Sequence, residues 1–251
     1  MKSSLCASAL VCGVCVAVAS QAANASIMYS SALRAPPLIS GGLAGQDSWT
    51  VSSGTQNAIQ VGSAGTTLVN GSGPREDLTH ALTQITTGQT YYVGFDVTVS
   101  GGANTDNATY FMAFNNGTSY ATRMFVTSAT GSNFTFGLSG NTNTVTAWGT
   151  GLTFGTSYRV VGSYTQGTNV TKLWVNPTSA ASTSITSTAG AATNINSILL
   201  RQDSGTSTEL VSNMVVSTTF NEAATFPAIP APGAVALIGL AGLVASRRRR
   251  N

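Results

Sequence analysis

Residues that could perform acid–base chemistry are few and widely spaced. Between Ser26 and Ile229 the chain carries eight acidic and six basic residues. A retaining glycosidase built on a β-sandwich needs two carboxyl groups about 5 to 5.5 Å apart, and on one strand both must lie on the same face. Asp96 is alone on its predicted strand, and the adjacent Glu76 and Asp77 would face opposite ways on a strand. The sequence therefore predicts a protein that is not an enzyme and has no catalytic residues.

His80 is the single histidine of the chain. A serine nucleophile would need it as a base with a carboxylate behind it, and the many serines single out no such partner. Glu76 lies four residues earlier, at helical spacing, so we expect a simple local contact between the two side chains. A zinc site would need further histidine or cysteine ligands, which the chain after the first 25 residues does not contain.

Oxygen-rich side chains crowd one predicted loop at Asn104, Asp106 and Asn107. Such loops at the edge of a sandwich suit calcium, so calcium is the one cofactor that the sequence accommodates. An ordinary Asx-rich turn explains the same residues. No other metal or cofactor is predicted.

Carbohydrate recognition would use an exposed aromatic face. In the predicted strand from Val170 to Val175, alternation places Trp174 on the face opposite Leu173. If that face is open, Trp174 is a candidate glycan contact. Packing of Trp174 beneath a loop or a second layer is the simpler interpretation.

These residues belong to a chain whose patterning is almost entirely that of short strands. Residues 91 to 99 alternate apolar and polar side chains, which predicts a strand with one buried face. Tyr110 to Phe114 is apolar throughout, as in a strand covered on both faces. Tyr158 to Tyr164 and Val170 to Val175 predict a hairpin. Pro74 to Leu82 is the one helix-like or turn patch.

About ten to twelve such strands, separated by Gly- and Asn-rich turns, predict an all-β fold, an antiparallel β-sandwich. Residues 157–179 (SYRVVGSYTQGTNVTKLWVNPTS) and 196–220 (NSILLRQDSGTSTELVSNMVVSTTF) resemble the concanavalin A-like and laminin G-like jelly rolls. That resemblance implies a jelly-roll arrangement of the two sheets.

The first 25 residues have the pattern of a secretory signal peptide. Lys2 precedes an apolar run from Leu5 to Ala19, and small-residue cleavage sites end at Ala22 and Ala25. All three cysteines lie inside this segment. The exported chain is therefore predicted to have neither disulfides nor thiol chemistry.

The C-terminal end has three parts in order: Pro230-Ala231-Pro232, the apolar run Gly233 to Ala245, and Arg247-Arg248-Arg249-Arg250. A helix over that run would reach only about 20 Å of the roughly 30 Å hydrocarbon layer, although flanking residues extend it. The arginines favour a cytoplasmic location for the terminus. A retained tail anchor and a buried apolar helix are alternatives to a processed signal.

This order of elements resembles the PEP-CTERM sorting signal, with Ala231 at the place of its usual glutamate. The resemblance implies export by a Gram-negative bacterium that makes extracellular polysaccharide, and cleavage by an exosortase, a membrane-embedded protease. It covers about 22 residues at the C-terminal end.

The predicted organisation is a signal peptide (1–25), an extended lead-in (26–45), a β-sandwich (46–222), a linker with the sorting motif (223–232) and a transmembrane run with its arginine tail (233–251). Without the two targeting ends the net charge changes from +3 to about −2, which disfavours nucleic acid as a partner. We expect a non-enzymatic surface or extracellular-matrix protein. A lectin-like carbohydrate-binding module is the alternative, with a polysaccharide hydrolase third.

Overall fold

The computed structural model describes residues 27–102, 109–117, 119–128 and 133–226. The predicted signal helix, the loop with Asn104, Asp106 and Asn107, the sorting motif at Pro230, Ala231 and Pro232, the apolar helix and Arg247 to Arg250 lie outside these residues. Within them, no helix is both long enough and apolar enough to cross a membrane.

The described residues form sixteen strands and one short helix. In chain order they are β1 (Ile27–Ser31), β2 (Gly41–Gly42), β3 (Thr50–Ser53), β4 (Gln60–Val61), β5 (Thr66–Val69), β6 (Asp77–Ala81), β7 (Thr90–Gly101), β8 (Tyr110–Asn115), β9 (Tyr120–Ser128), β10 (Phe134–Ser139), β11 (Thr146–Ala147), β12 (Ser157–Thr165), β13 (Thr171–Val175), β14 (Ile185–Ser187), β15 (Ser197–Leu200), β16 (Ser207–Ser217) and α1 (Phe220–Ala224).

The strands form two antiparallel sheets, which confirms the predicted all-β sandwich. Sheet A has nine strands in the order β14-β13-β12-β7-β16-β5-β4-β2, with β1 also paired to β16. Sheet B has seven strands in the order β11-β10-β9-β8-β15-β6-β3. Consecutive strands pair in the runs β8 to β11 and β12 to β14, whereas pairs such as β7 with β16 are far apart in sequence. The chain crosses repeatedly from one sheet to the other, as in jelly-roll-like folds.

The alternation along β7 is the one that its sequence predicts. Tyr91, Val93, Phe95, Val97 and Val99 are buried in the core between the sheets. Every residue of β8 is buried, as the unbroken apolar run indicates. The predicted hairpin is also present, with Val161 of β12 opposite Trp174 of β13.

The two sheets approach closely at Gly162 of β12. A Cβ there would lie 2.0 Å from the terminal methyl group of Met124 on sheet B. A larger residue at this position would require the flexible Met124 side chain to move aside, and Thr122 Cγ2 would then be the next neighbour, at 3.0 Å.

The segment from Pro74 to Leu82 contains strand β6, so the helix-like interpretation was wrong. Leu78 faces the core, and β6 pairs with both β15 and β3. Charged residues occur on both faces of this short segment, so its sequence does not show the alternation of apolar and polar side chains that marks a strand. Tertiary pairing decides its conformation.

The predicted lead-in is part of the folded domain. β1 pairs with β16, and β2 pairs with β4. Leu33 and Leu43 have no exposed surface. The prolines and glycines of this segment make turns between anchored residues, and the sandwich therefore begins at β1, not at residue 46.

Candidate functional site

Four loops meet at one end of the sandwich and form two adjoining clefts. The clefts have volumes of about 420 Å³ and about 520 Å³, and Asn194 lines both. We call them together the loop-end groove. Its lining residues come from the β6–β7, β8–β9, β12–β13 and β14–β15 connections: Gln84, Ile85, Thr86, Thr87, Asn116, Gly167, Ala192, Thr193 and Asn194.

Tyr164 at the end of β12 fixes one wall of the groove. Its hydroxyl accepts the backbone N–H of Thr193 at 2.9 Å and lies 2.6 Å from the carbonyl oxygen of the same residue. Burial raises the pKa of the phenol, and its hydrogen bond to Thr193 partly offsets this. The phenol is therefore a neutral brace that holds the β14–β15 loop in place.

Gln166 and Tyr91 support the backbone at the base of the loop-end groove. The Gln166 side chain accepts the N–H of Ile195 at 3.1 Å, and Gln166 itself is 1% exposed. The hydroxyl of Tyr91 accepts the N–H of Ile85 at 2.9 Å and reaches the carbonyl oxygen of Ile195 at 3.2 Å. Because buried side chains satisfy these backbone groups, the loops are preorganised before any ligand arrives.

Among the described residues that line the groove, none has an ionisable side chain. Gln84, Thr86, Asn116 and Asn194 are all exposed there and present amide and hydroxyl groups. Such groups donate and accept hydrogen bonds with a neutral, hydroxyl-rich ligand. They cannot shift protons at neutral pH, so the chemistry that the groove supports is binding.

Trp174 lies on the outer face of sheet A, as alternation predicts, but that face is not open. Trp174 is 4% exposed and packs with Val161, Phe220 and Ala223. The exposed glycan platform that the sequence allowed is therefore not present in this structure, because α1 covers it. Sequence reasoning did not anticipate α1, whose five residues are too few for a helical period.

The carboxyl groups considered above make structural contacts. Glu76 accepts the N–H of Ile59 at 2.7 Å, whereas Asp77 accepts the N–H of Gln202 at 3.0 Å. Asp96 pairs with Arg159 at 3.2 Å. Burial raises the pKa of Asp77, and hydrogen bonds from the Ser53 side chain and the Gln202 backbone partly offset this. Each carboxyl group is thus engaged by its own neighbours.

His80 is on β6 and packs on aromatic rings. Its ring centroid lies 4.2 Å from that of Tyr29 and 5.5 Å from that of Trp49. Burial lowers the pKa of the imidazole, so the neutral form is favoured. The expected helical contact with Glu76 was wrong, because residues four apart on a strand lie about 13 Å from each other.

A buried acidic residue that the sequence did not single out, Glu209, lies on β16 of sheet A. Glu209 has no exposed surface, and burial raises the pKa of its carboxyl to about 7. Its polar neighbours in the sequence, Ser207 and Thr208, give no sign of this burial. Among the described residues no group of three His, Cys, Asp or Glu side chains could hold a metal ion.

Comparison with known proteins supports the fold. No family model matches the sequence, and no curated protein is similar to it. Among solved structures, a sialidase matches 80% of this chain and 19% of its own, with a TM-score of 0.53 and 13% identity. A second structure is of botulinum neurotoxin type C, whose cell entry depends on interaction with two ganglioside molecules. It matches 77% of this chain and 48% of its own, with a TM-score of 0.47 and 10% identity. The chain thus spans less than half of either protein, and at these identities the likeness concerns the β-sandwich alone.

Proposed function

We propose that this chain is an exported, non-catalytic surface or extracellular-matrix protein of a Gram-negative bacterium, and that its sandwich holds neutral extracellular polysaccharide in the loop-end groove. The signal-peptide pattern at residues 1–25 and the PEP-CTERM-like end at residues 230–251 support export and sorting. An exosortase-type protease is the proposed processing partner.

The observation that carries the binding role is the preorganised, uncharged lining of the groove. Tyr164, Gln166 and Tyr91 hold its backbone from beneath, so exposed amides and hydroxyls stand at fixed positions. A neutral sugar offers the complementary donors and acceptors, whereas a strongly charged ligand would find no counter-ion among the lining residues.

A glycan array with the exported chain and a matched pair of variants tests this role. Asn194→Ala removes the side chain that lines both clefts, and Asn133→Ala removes an equally exposed amide beside β10 at the other end of the sandwich. We expect Asn194→Ala to weaken binding to a neutral glycan about tenfold, which corresponds to about 1.4 kcal/mol, with no effect of Asn133→Ala. An array with no bound glycan would leave a purely structural matrix role.

Intact-mass spectrometry of the protein from its native cell surface and medium tests the sorting. We expect a chain that begins at Ala23 or Ser26 and ends near Pro230. A mass that includes Asn251 would show a retained membrane anchor and would rule out cleavage by an exosortase.

A further inference from the structure

The helix α1 covers an aromatic patch on the outer face of sheet A. This patch, formed by Tyr92, Val161 and Trp174, is called the covered patch below. The Phe220 ring centroid lies 5.1 Å from that of Trp174 and 5.9 Å from that of Tyr92. Ala223 is fully buried against the same surface. Without α1, the rings of Trp174 and Tyr92 would lose this cover; their centroids are 6.5 Å apart and their planes are inclined by 45°.

The contact between α1 and sheet A leaves polar atoms unsatisfied. Trp174 Nε1, Arg159 Nε and Asn213 Oδ1 are three of the six buried side-chain atoms that have no hydrogen-bond partner among the described residues. The core tryptophan Trp49 differs, because its Nε1 donates to the hydroxyl of Tyr29 at 2.8 Å. Buried donors and acceptors are nearly always paired in stable interiors. The covered arrangement therefore leaves groups at the patch that a polar ligand would satisfy.

The cover is short and depends on a few contacts. Arg159 donates to the carbonyl oxygen of Ala223 at 2.6 Å, and the Glu222 carboxylate accepts from the hydroxyl of Thr219 at 2.7 Å. Five residues are too few for a helix that is stable without its tertiary contacts. When these contacts break, α1 unfolds and the covered patch opens. Local opening of this kind requires less free energy than global unfolding.

We propose that α1 is a displaceable cover and that the opened patch binds the pyranose rings of a neutral polysaccharide. The rings of Trp174 and Tyr92 offer flat apolar surface to the C–H face of a sugar. Hydroxyl groups at the edge of the sugar then form hydrogen bonds with three protein atoms: the donors Trp174 Nε1 and Arg159 Nε, and the acceptor Asn213 Oδ1. A purely apolar partner would leave the same three atoms unsatisfied, so a hydroxylated ligand is the better fit. This site is separate from the loop-end groove and does not depend on it.

Gly94 allows the cover to be removed by a small change. A Cβ at position 94 would lie 1.7 Å from the carbonyl oxygen of Ala223. Gly94→Ala therefore prevents α1 from packing on sheet A, while the inward-facing side chains of β7 stay in the core. Gly42→Ala is the matched control, since a Cβ at position 42 of β2 meets no atom within 4 Å. Phe220→Ser weakens the same contact from the α1 side.

Binding of neutral hexasaccharides of glucose, mannose and galactose to the full exported chain tests the proposal by calorimetry. We expect Gly94→Ala and Phe220→Ser to bind at least one of them about tenfold more tightly than the wild type or Gly42→Ala, because the open state is more populated. Adding Trp174→Phe to Gly94→Ala keeps an apolar ring but removes Nε1, and we expect it to reduce the gain. Adding Trp174→Ala is expected to abolish it.

Acrylamide quenching of tryptophan fluorescence verifies that the cover opens, with Gly94→Ala/Trp174→Phe correcting for Trp49 and Trp148. Circular dichroism verifies that each variant remains folded. Two results would overturn the proposal: a folded Gly94→Ala protein with increased quenching that binds none of the hexasaccharides, or one whose quenching is unchanged. Dimerisation of Gly94→Ala through the exposed patch would also overturn it, since the ligand would then be a second copy of the chain.

Discussion

The side-chain amide of Asn70 donates to the carboxyl group of Glu209 across 3.0 Å in the interior of the sandwich. On β16, Glu209 stands directly opposite Leu68 of β5 and Val99 of β7, both of which are fully buried. A carboxyl group in such surroundings with only neutral partners favours its protonated form. Burial accordingly raises its pKa from 4.5 to about 7.

This acid makes the stability of the fold depend on pH. Between pH 4.5 and 7 the folded state holds a proton on Glu209 that the unfolded state has released. The stabilisation is therefore complete below about pH 4.5 and is lost as the pH rises to about 7, by about 3 kcal/mol. We expect Glu209→Gln to be as stable as the wild type at pH 4.5 and more stable at pH 8.

Urea unfolding at a series of pH values measures this difference directly. The difference between variant and wild type is the informative quantity, because His80 contributes with the opposite sign. The pKa of His80 is lowered by burial, so its contribution is lost as the pH falls. Parallel pH profiles of the two proteins would contradict the assignment to Glu209.

Tyr164→Phe is expected to affect both stability and binding. The substitution removes the hydroxyl that accepts the Thr193 N–H, and the cost is about 1 to 3 kcal/mol for a buried unsatisfied group. The β14–β15 loop then loses its brace, and we expect weaker glycan binding in the loop-end groove. Thermal unfolding and the glycan array measure the two effects.

Tyr158→Phe is the matched control for that experiment. Tyr158 lies on the same strand and accepts the N–H of Thr153 at 2.9 Å, but at the other end of the sandwich. We expect a modest loss of stability and unchanged glycan binding. Equal loss of binding in both variants would indicate a general effect of destabilisation and would contradict the role of Tyr164.

Arg159→Met is expected to loosen α1 selectively. Arg159 donates to Asp96, to the carbonyl oxygen of Asn213 and to that of Ala223. Since the pair with Asp96 is partly exposed to solvent, the global cost is moderate, about 1 to 2 kcal/mol. Hydrogen exchange of the Ala223 and Thr225 amides should accelerate at least about tenfold, because an opening free energy lower by about 1.4 kcal/mol gives that factor.

Arg201→Met controls for the loss of an arginine. Arg201 pairs with Asp77 and Asp203 beside sheet B, away from α1. It should leave the exchange of the α1 amides unchanged. If both variants accelerate that exchange equally, α1 opens only with global unfolding.

A chain that begins at Gln46 is not expected to fold. It lacks Leu33 and Leu43, both fully buried, and the whole of β1. Removing two buried leucines alone costs about 4 to 10 kcal/mol, which is comparable to the stability of a typical domain. A chain that begins at Ser26 retains every strand and should give a cooperative unfolding transition. A folded chain from Gln46 would show that β1 and β2 are dispensable.

The strands with strong alternation or unbroken apolar runs could be predicted from the sequence, as β7, β8 and the β12–β13 hairpin show. Their pattern arises from burial on one face or on both, and burial is what the residue types report. β6 and the lead-in were missed because pairing with distant strands decides their conformation. The sequence identified Trp174 and the face it occupies, but the cover by α1 depends on Gly94 and Arg159, which lie far away along the chain.

The loop-end groove could not be predicted because its lining comes from loops separated by more than 100 residues, between Gln84 and Asn194. Neutral polar residues are abundant throughout this chain, and only the topology selects those that meet. The buried braces were equally hidden. From the alternation of their strands, Tyr91 and Tyr164 are predicted only to be core residues. In the structure, their hydroxyl groups also accept hydrogen bonds from the backbone of the adjoining loops.

The outermost strands of both sheets are short. Along its main path sheet A ends in β14, with three residues, and β2, with two, while the five-residue β1 forms a further edge beside β16. Sheet B ends in β11, with two residues, and β3, with four. In the proposed matrix, neighbouring copies would find little free backbone at these strands with which to extend either sheet, which disfavours edge-to-edge association. If the proposed binding role holds, cohesion among many copies would come from the bound polysaccharide and not from strand-to-strand association of the proteins themselves.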